Sequence, residues 1–239
     1  MPIIAQNSKN LSNLSLDDPW YNMSKKVEFF DSLKNAPNLT RLTLARMFQL
    51  GITSLSDYLR SSDGKEYELS SVTELNLSGY SDSAPQNNLR DLKGIDCFKN
   101  LQKFTLNCTS EILDISEIKK CTDLKNVSLA YCNIQSLNGL EDLNNLTKLT
   151  LNNNNISNLK SLENLTNLTE LNLENNAISD TATYTDTDGS IKTINNINLL
   201  ANLNKSKNGK LERLYLSGND NIINWSPLSS LTWSAKSGW

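Results

Sequence analysis

Histidine, the side chain best suited to moving protons at neutral pH, is absent from this chain of 239 residues. Its absence removes the commonest general base, the Ser-His and Cys-His nucleophile pairs, and most zinc and iron sites. Calcium needs only oxygen ligands, and the tetrapeptide Asp186-Thr187-Asp188-Gly189 invites that reading. Aligned as an EF-hand loop, Asp186, Asp188 and Gly189 fit positions 3, 5 and 6, and Ile191 fits position 8. Tyr184 and Asn195 then stand at positions 1 and 12, where the loop needs Asp and a bidentate Glu. The segment reads as an ordinary Asp-Gly turn. No metal and no cofactor are expected.

Nucleophiles and paired acids lead no further. Cys97, Cys108, Cys121 and Cys132 lie 11, 13 and 11 residues apart, which is neither a CxxC pair nor a dense disulfide framework. Carboxylates such as Glu141-Asp142 and Asp17-Asp18 are neighbours in sequence, so they need not converge on one site. The Asn153–Asn155 run is turn material. Net charge is −3, too weak and of the wrong sign to attract phosphates, so nucleic acid is excluded as a partner. No run of 18 apolar residues is present, so no helix inserts into a membrane. No enzymatic activity is announced.

The pattern that does emerge is architectural. There are 40 leucines and 35 asparagines, more than an ordinary mixed core requires. From Leu124 the chain reads LKNVSLAYCNIQSLNGLEDLNN, then LTKLTLNNNNISNLKSLENLTN, then LTELNLENNAIS: a 22-residue period with the form LxxLxLxxNxI. Further units start at Leu39, Val72, Leu101 and Leu211, giving spacings of 33, 29, 23, 22, 22 and 43. Within a unit, LxL steps by two, as a strand with one buried face does. Before each strand the apolar residues step by three, for example Ile134, Leu137, Leu140, Leu143 and Leu146. A step of three is the turn of a 3₁₀ segment. Each unit should therefore be a short strand, a turn and a 3₁₀-like return.

This pattern resembles the leucine-rich repeat family, specifically its 22-residue class. That class includes bacterial internalin-like proteins and eukaryotic phosphatase-regulating proteins. The resemblance covers residues 24 to about 231, and NDNIINWSPLSSL is similar to the internalin form of the return segment. It implies a right-handed α/β solenoid, an arc with a concave parallel sheet of about seven strands and a convex side of 3₁₀ turns and loops. It also implies that Asn at position 9 points inward to satisfy backbone groups. Asn154, Asn176 and Asn219 occupy that slot, Cys132 and Thr109 offer small substitutes, and Met47 and Tyr80 should interrupt the ladder. Cys121 and Cys132 fall in inward slots and read as buried, inert thiols; Cys97 and Cys108 read as partly exposed.

Three segments are expected: 1–38, an N-terminal segment with a cap helix at 24–35; 39–231, about seven repeats; and 232–239, a tail. Ser24 is a fitting N-cap, with Val27, Phe30 and Leu33 on one face. The tail reads as a linker to a domain that has been cut away, with a fold-back through Trp233 and Trp239 as the alternative. Insertions fall near 60–68, 80–88, 179–193 and 205–210. TATYTDTDGSIKTI reads as a two-stranded hairpin turning at Asp188-Gly189. The segment Met1–Asn7 has neither a basic leader nor an apolar core of signal-peptide length.

The resemblance implies a non-enzymatic recognition module, monomeric, binding a protein partner. An extracellular or surface protein of the internalin type, with its leader removed, is the first reading; a cytoplasmic regulatory or scaffold protein is the alternative. Strand alternation places positions 3, 5 and 7 outward on the concave sheet. Column three offers Lys103, Lys148, Glu170 and Arg213; column five offers Thr105, Ser128, Thr150, Asn172 and Tyr215; column seven offers Asn152. Tyr80 and Tyr131 join Tyr215 as the aromatics on or beside this face.

Overall fold

The step of two and the step of three both become backbone geometry. The computed structural model describes residues 10–16, 33, 36–44, 54–57, 59, 68–78, 89–107, 111, 113–205 and 209–229. Its strands are β1 (Asn13–Leu16), β2 (Arg41–Leu44), β3 (Glu74–Asn76), β4 (Lys103–Thr105), β5 (Asn126–Ser128), β6 (Lys148–Thr150) and β7 (Glu170–Asn172). Then come β8 (Thr181–Thr185), β9 (Ile191–Asn195) and β10 (Arg213–Tyr215). Eight of them form one parallel sheet in the order β1-β2-β3-β4-β5-β6-β7-β10. The register stacks Leu42, Leu75, Phe104, Val127, Leu149, Leu171 and Leu214 in one row, each 4% exposed or less.

The returns behave as the three-step predicts. Leu140, Leu143 and Leu146 each donate a backbone N–H to the carbonyl three residues earlier, at 3.0–3.2 Å. The same bonds link Leu159, Leu162, Leu165 and Leu168, and again Ile115, Ile118, Cys121 and Leu124. All these side chains are buried, because an i→i+3 bond pattern eclipses every third residue onto the inner face. Formal 3₁₀ helices occur at Leu55–Asp57, Ile95–Cys97, Ser116–Lys120, Lys160–Leu162 and Ser226–Leu228. The core is therefore one continuous row of apolar side chains between sheet and returns.

Three features differ from the sequence reading: the strand number, the return before β10 and the burial of Cys97. Among the described residues the sheet has eight strands rather than about seven, since β1 pairs in parallel with β2 inside the segment expected to be a terminal cap. The helix expected at 24–35 lies outside the described residues except for Leu33, which is helical and buried. Before β10 the return is an α-helix, α1 (Asn196–Lys205), not a 3₁₀ turn. Cys97 is 4% exposed, because the preceding coil covers it: Leu69 N donates to the Cys97 carbonyl at 2.8 Å. Cys97, Cys121 and Cys132 are all buried, and no disulfide joins them. Cys108, Thr109, Met47, Tyr80 and the tail 232–239 lie outside the described residues.

The inward asparagines close the turns as the resemblance implies. Asn154 donates Nδ2 to the carbonyls of Leu129 and Leu151 at 2.8 and 2.9 Å, and its Oδ1 accepts from Cys132 N and Ile134 N at 3.0 Å. Asn176 and Asn219 repeat this between later coils. Cys132 substitutes with its thiol, which donates to Leu106 O at 3.2 Å. The hairpin β8–β9 is antiparallel, and Gly189 takes the positive φ of 81° its turn requires. Asp188 Oδ1 accepts from Ser190 N and Oγ, and Asp186 pairs with Lys192. Both carboxyls are held below the usual range, Asp186 by the Lys192 bond and Asp188 by the Ser190 bonds. These aspartates close the turn.

Candidate recognition surface

The register that stacks the buried row also stacks its polar neighbours. Column five becomes a continuous line, Thr43–Asn76–Thr105–Ser128–Thr150–Asn172–Tyr215, each member half-buried. Short side chains in this row keep the sheet low along its middle. Local hydrogen bonds hold several of them in place. Ser128 Oγ donates to Asn107 Oδ1 at 3.3 Å, an oxygen that also accepts Ala130 N at 3.1 Å. Asn172 Oδ1 accepts Glu174 N at 2.9 Å, and its Nδ2 donates to the Glu174 carboxylate. The Ser128 hydroxyl is thereby committed to the Asn107 amide.

Column three forms a charged ridge along one side of that row. Glu74 faces Arg41 at 3.1 Å and Lys103 at 3.8 Å, while Glu170 faces Lys148 and Arg213 at 2.7 Å each. On the other side of the row, position 8 of the β6, β7 and β10 coils turns through the left-handed region: Asn153 at φ 58°, Asn175 at 53° and Gly218 at 73°. Asn and Gly tolerate this conformation. The corresponding residue of the β5 coil is Tyr131, at φ 58° and 51% exposed. Its backbone N–H donates to the carbonyl of Asn152 at 3.1 Å, which fixes the turn beside the next coil.

Residues 144–185 match the family model for leucine-rich repeats in two copies. No curated protein sequence matches the chain. Among solved structures, internalin C2 of Listeria monocytogenes aligns with 95% of this chain and 80% of its own, at 26% identity and a TM-score of 0.66. The chain is an internalin-like leucine-rich repeat protein. TLR13, solved as a complex with ssRNA13, shares the fold, at 20% identity and a TM-score of 0.54 over 84% of this chain and 26% of that one. An internalin-like repeat array of this kind is typically a non-enzymatic binding module.

Of the residues expected on the binding face of this internalin-like chain, Lys103, Lys148, Glu170 and Arg213 stand together on the ridge, with Thr105, Ser128, Thr150, Asn172 and Tyr215 beside them. Asn152 and Tyr131 follow at the strand ends. Tyr80 lies outside the described residues. Tyr131 and Tyr215 do not meet, because β5 and β10 are three strand intervals apart. Arg41, Glu74, Asn107 and Glu174, which strand alternation turns outward in columns three and seven, belong to the same surface. A second hollow, about 720 Å³, opens between β8 and the returns around Glu141 and Lys160. Glu141 there accepts Gly139 N and Ser161 Oγ, each at 2.7 Å. That carboxylate is committed to structure.

Proposed function

We propose that this protein is a recognition module of a secreted or surface-displayed bacterial protein, receiving a protruding element of a protein partner on the concave sheet. The observation that carries this reading is Tyr131. A half-exposed aromatic sits where the three coils that follow hold Asn or Gly, and a left-handed backbone costs an L-residue roughly 1–2 kcal/mol. About half of the side chain stays in solvent, and exposed tyrosines anchor interfaces. The polar, low-lying column five beside it leaves room for an inserted loop or strand. The mixed internalin-like sequence and the lack of any assembled acid–base pair among the described residues favour binding over catalysis.

The reading is tested with the purified chain as bait for surface proteins, followed by re-binding of the recovered partner to a Thr105→Arg/Ser128→Arg/Thr150→Arg variant. These side chains lie on the outward row, so circular dichroism should be unchanged while three long cations fill the groove. At least a tenfold loss of affinity is expected. Undiminished binding by the folded variant rejects the concave face.

A further inference from the structure

The column-three ridge has a finer pattern than mixed charge. Arg41, Glu74 and Lys103 lie on adjacent strands in direct register, and so do Lys148, Glu170 and Arg213. Each set is cation, carboxylate, cation, with each oxygen of the central Glu facing one neighbour. Uncharged Asn126 separates the two sets. The carboxylates are sunk, with side chains 33% and 14% exposed, while the four cations keep 47–61%. Each triad therefore presents net +1 outward, on a chain whose total is −3. Lys125 and Glu212 flank the ridge at separate points, three strand intervals apart, and Lys125 donates to Gln102.

Exposed ion pairs add little to folding, typically about 0–1 kcal/mol, so stability does not account for the motif. What a shared carboxylate does is hold two long side chains in fixed positions. That lowers the side-chain ordering a partner would otherwise impose. The cations retain donors, since a guanidinium carries five N–H groups and an ammonium three. Glu74 on β3 and Glu170 on β7 are separated by four strand intervals, which at about 4.8 Å each is roughly 19 Å.

We propose that the ridge is a two-point clamp for an acidic protein surface whose carboxylate pairs stand about 19 Å apart. This deepens, and rests on, the concave-face reading. A polyanion fits it poorly. Nucleic acid carries a charge about every 1.7 Å along its axis and calls for a continuous cationic stripe. Here two clusters are parted by a neutral residue, and each encloses an acid that repels phosphate.

The test uses alanine- and glutamine-rich helical peptides bearing two Glu-Glu pairs. In one the pairs are 14 residues apart on one helix face, about 21 Å at roughly 1.5 Å per residue; in the control they are 7 apart on the same face. Fluorescence anisotropy against the whole chain in 50 mM salt should show at least tenfold preference for the wide spacing. Either Arg41→Gln/Lys103→Gln or Lys148→Gln/Arg213→Gln should abolish that preference, with circular dichroism unchanged. Equal binding of both peptides, no binding of either, or tighter binding of heparin or a DNA duplex overturns the clamp. Two further outcomes separate the readings. Peptide binding lost in the Thr105→Arg/Ser128→Arg/Thr150→Arg variant but untouched by the ridge changes rejects the clamp and leaves the concave face standing. Binding untouched by both sets rejects both.

Discussion

Asn154 shows how a single side chain closes a coil. Its amide meets carbonyls of its own coil and the previous one while its oxygen takes two backbone N–H groups of the previous turn. Leucine at this site would fill the space and strand those groups. Asn154→Leu should cost at least about 1–3 kcal/mol, read as a lower urea midpoint, and an unchanged midpoint would show that the ladder is dispensable. Tyr131 is the opposite case. Tyr131→Asn relieves a left-handed tyrosine and should raise stability by roughly 1 kcal/mol, while capture of the partner falls; a stabilised variant with full binding would remove Tyr131 from the interface. Cys121 lies between coils, its thiol donating to Ile95 O at 3.7 Å, and burial pushes its pKa from 9.0 up to about 12. Between those values the unfolded chain releases this proton and the native chain keeps it, so the thiol's contribution to stability is lost as pH rises above 9. Iodoacetamide at pH 8 should therefore label Cys121 only in urea, as site-resolved mass spectrometry can check.

The elements were legible wherever one unit followed the next at 22–23 residues, because the step of two and the step of three then alternate without interruption. Strand β1 was missed although Leu11, Leu14 and Leu16 have the LxxLxL spacing. Asp17-Asp18-Pro19 follows it, so position 9 holds Pro rather than Asn, and the next unit comes late. Helix α1 was hidden by the hairpin insertion, which erased the phase. Its pattern is nevertheless that of an α-helix: Asn196, Leu199, Leu200 and Leu203 are buried at i, i+3, i+4 and i+7. Asn196 even supplies a position-9-like clamp, donating to Ser157 O and Ser179 O and accepting Leu159 N. The returns set tight limits on glycine as well. Gly139 has φ 104°, and a Cβ there would meet Ser116 O at 2.8 Å and Ile115 O at 2.9 Å, backbone of the adjacent coil. A Cβ on Gly189, at φ 81°, would meet nothing within 4 Å. Gly189→Ala should thus cost only the left-handed backbone, about 1 kcal/mol, and Gly139→Ala clearly more. Equal thermal shifts for the two would mean that the coils slide apart freely at Gly139.

At the scale of the whole molecule, each coil touches its neighbours and little else, so stability should be distributed along one dimension. The outward columns could be read from the sequence by alternation, but the pairing of their charges required register, which only the stacked sheet supplies. Position in the stack should also decide what a cavity does. Leu149 on β6 is fully buried with a strand on each side, whereas Leu214 on β10 is 4% exposed and, among the described residues, its strand has one neighbour, β7. Removing three carbons at Leu149 breaks packing toward both halves of the array, and Leu149→Ala should cost about 2–5 kcal/mol. The loss should appear as a lower urea midpoint with the slope retained, because the halves still unfold together. Leu214→Ala loosens one interface at the end of the row. That coil should then open ahead of the rest, reducing the slope as well as the midpoint. Amide hydrogen exchange gives an independent reading, since local opening would strip protection from β10 while β6 keeps the protection of global unfolding. If both variants keep the parental slope and lose protection uniformly, the eight strands unfold as one block and the one-dimensional description fails.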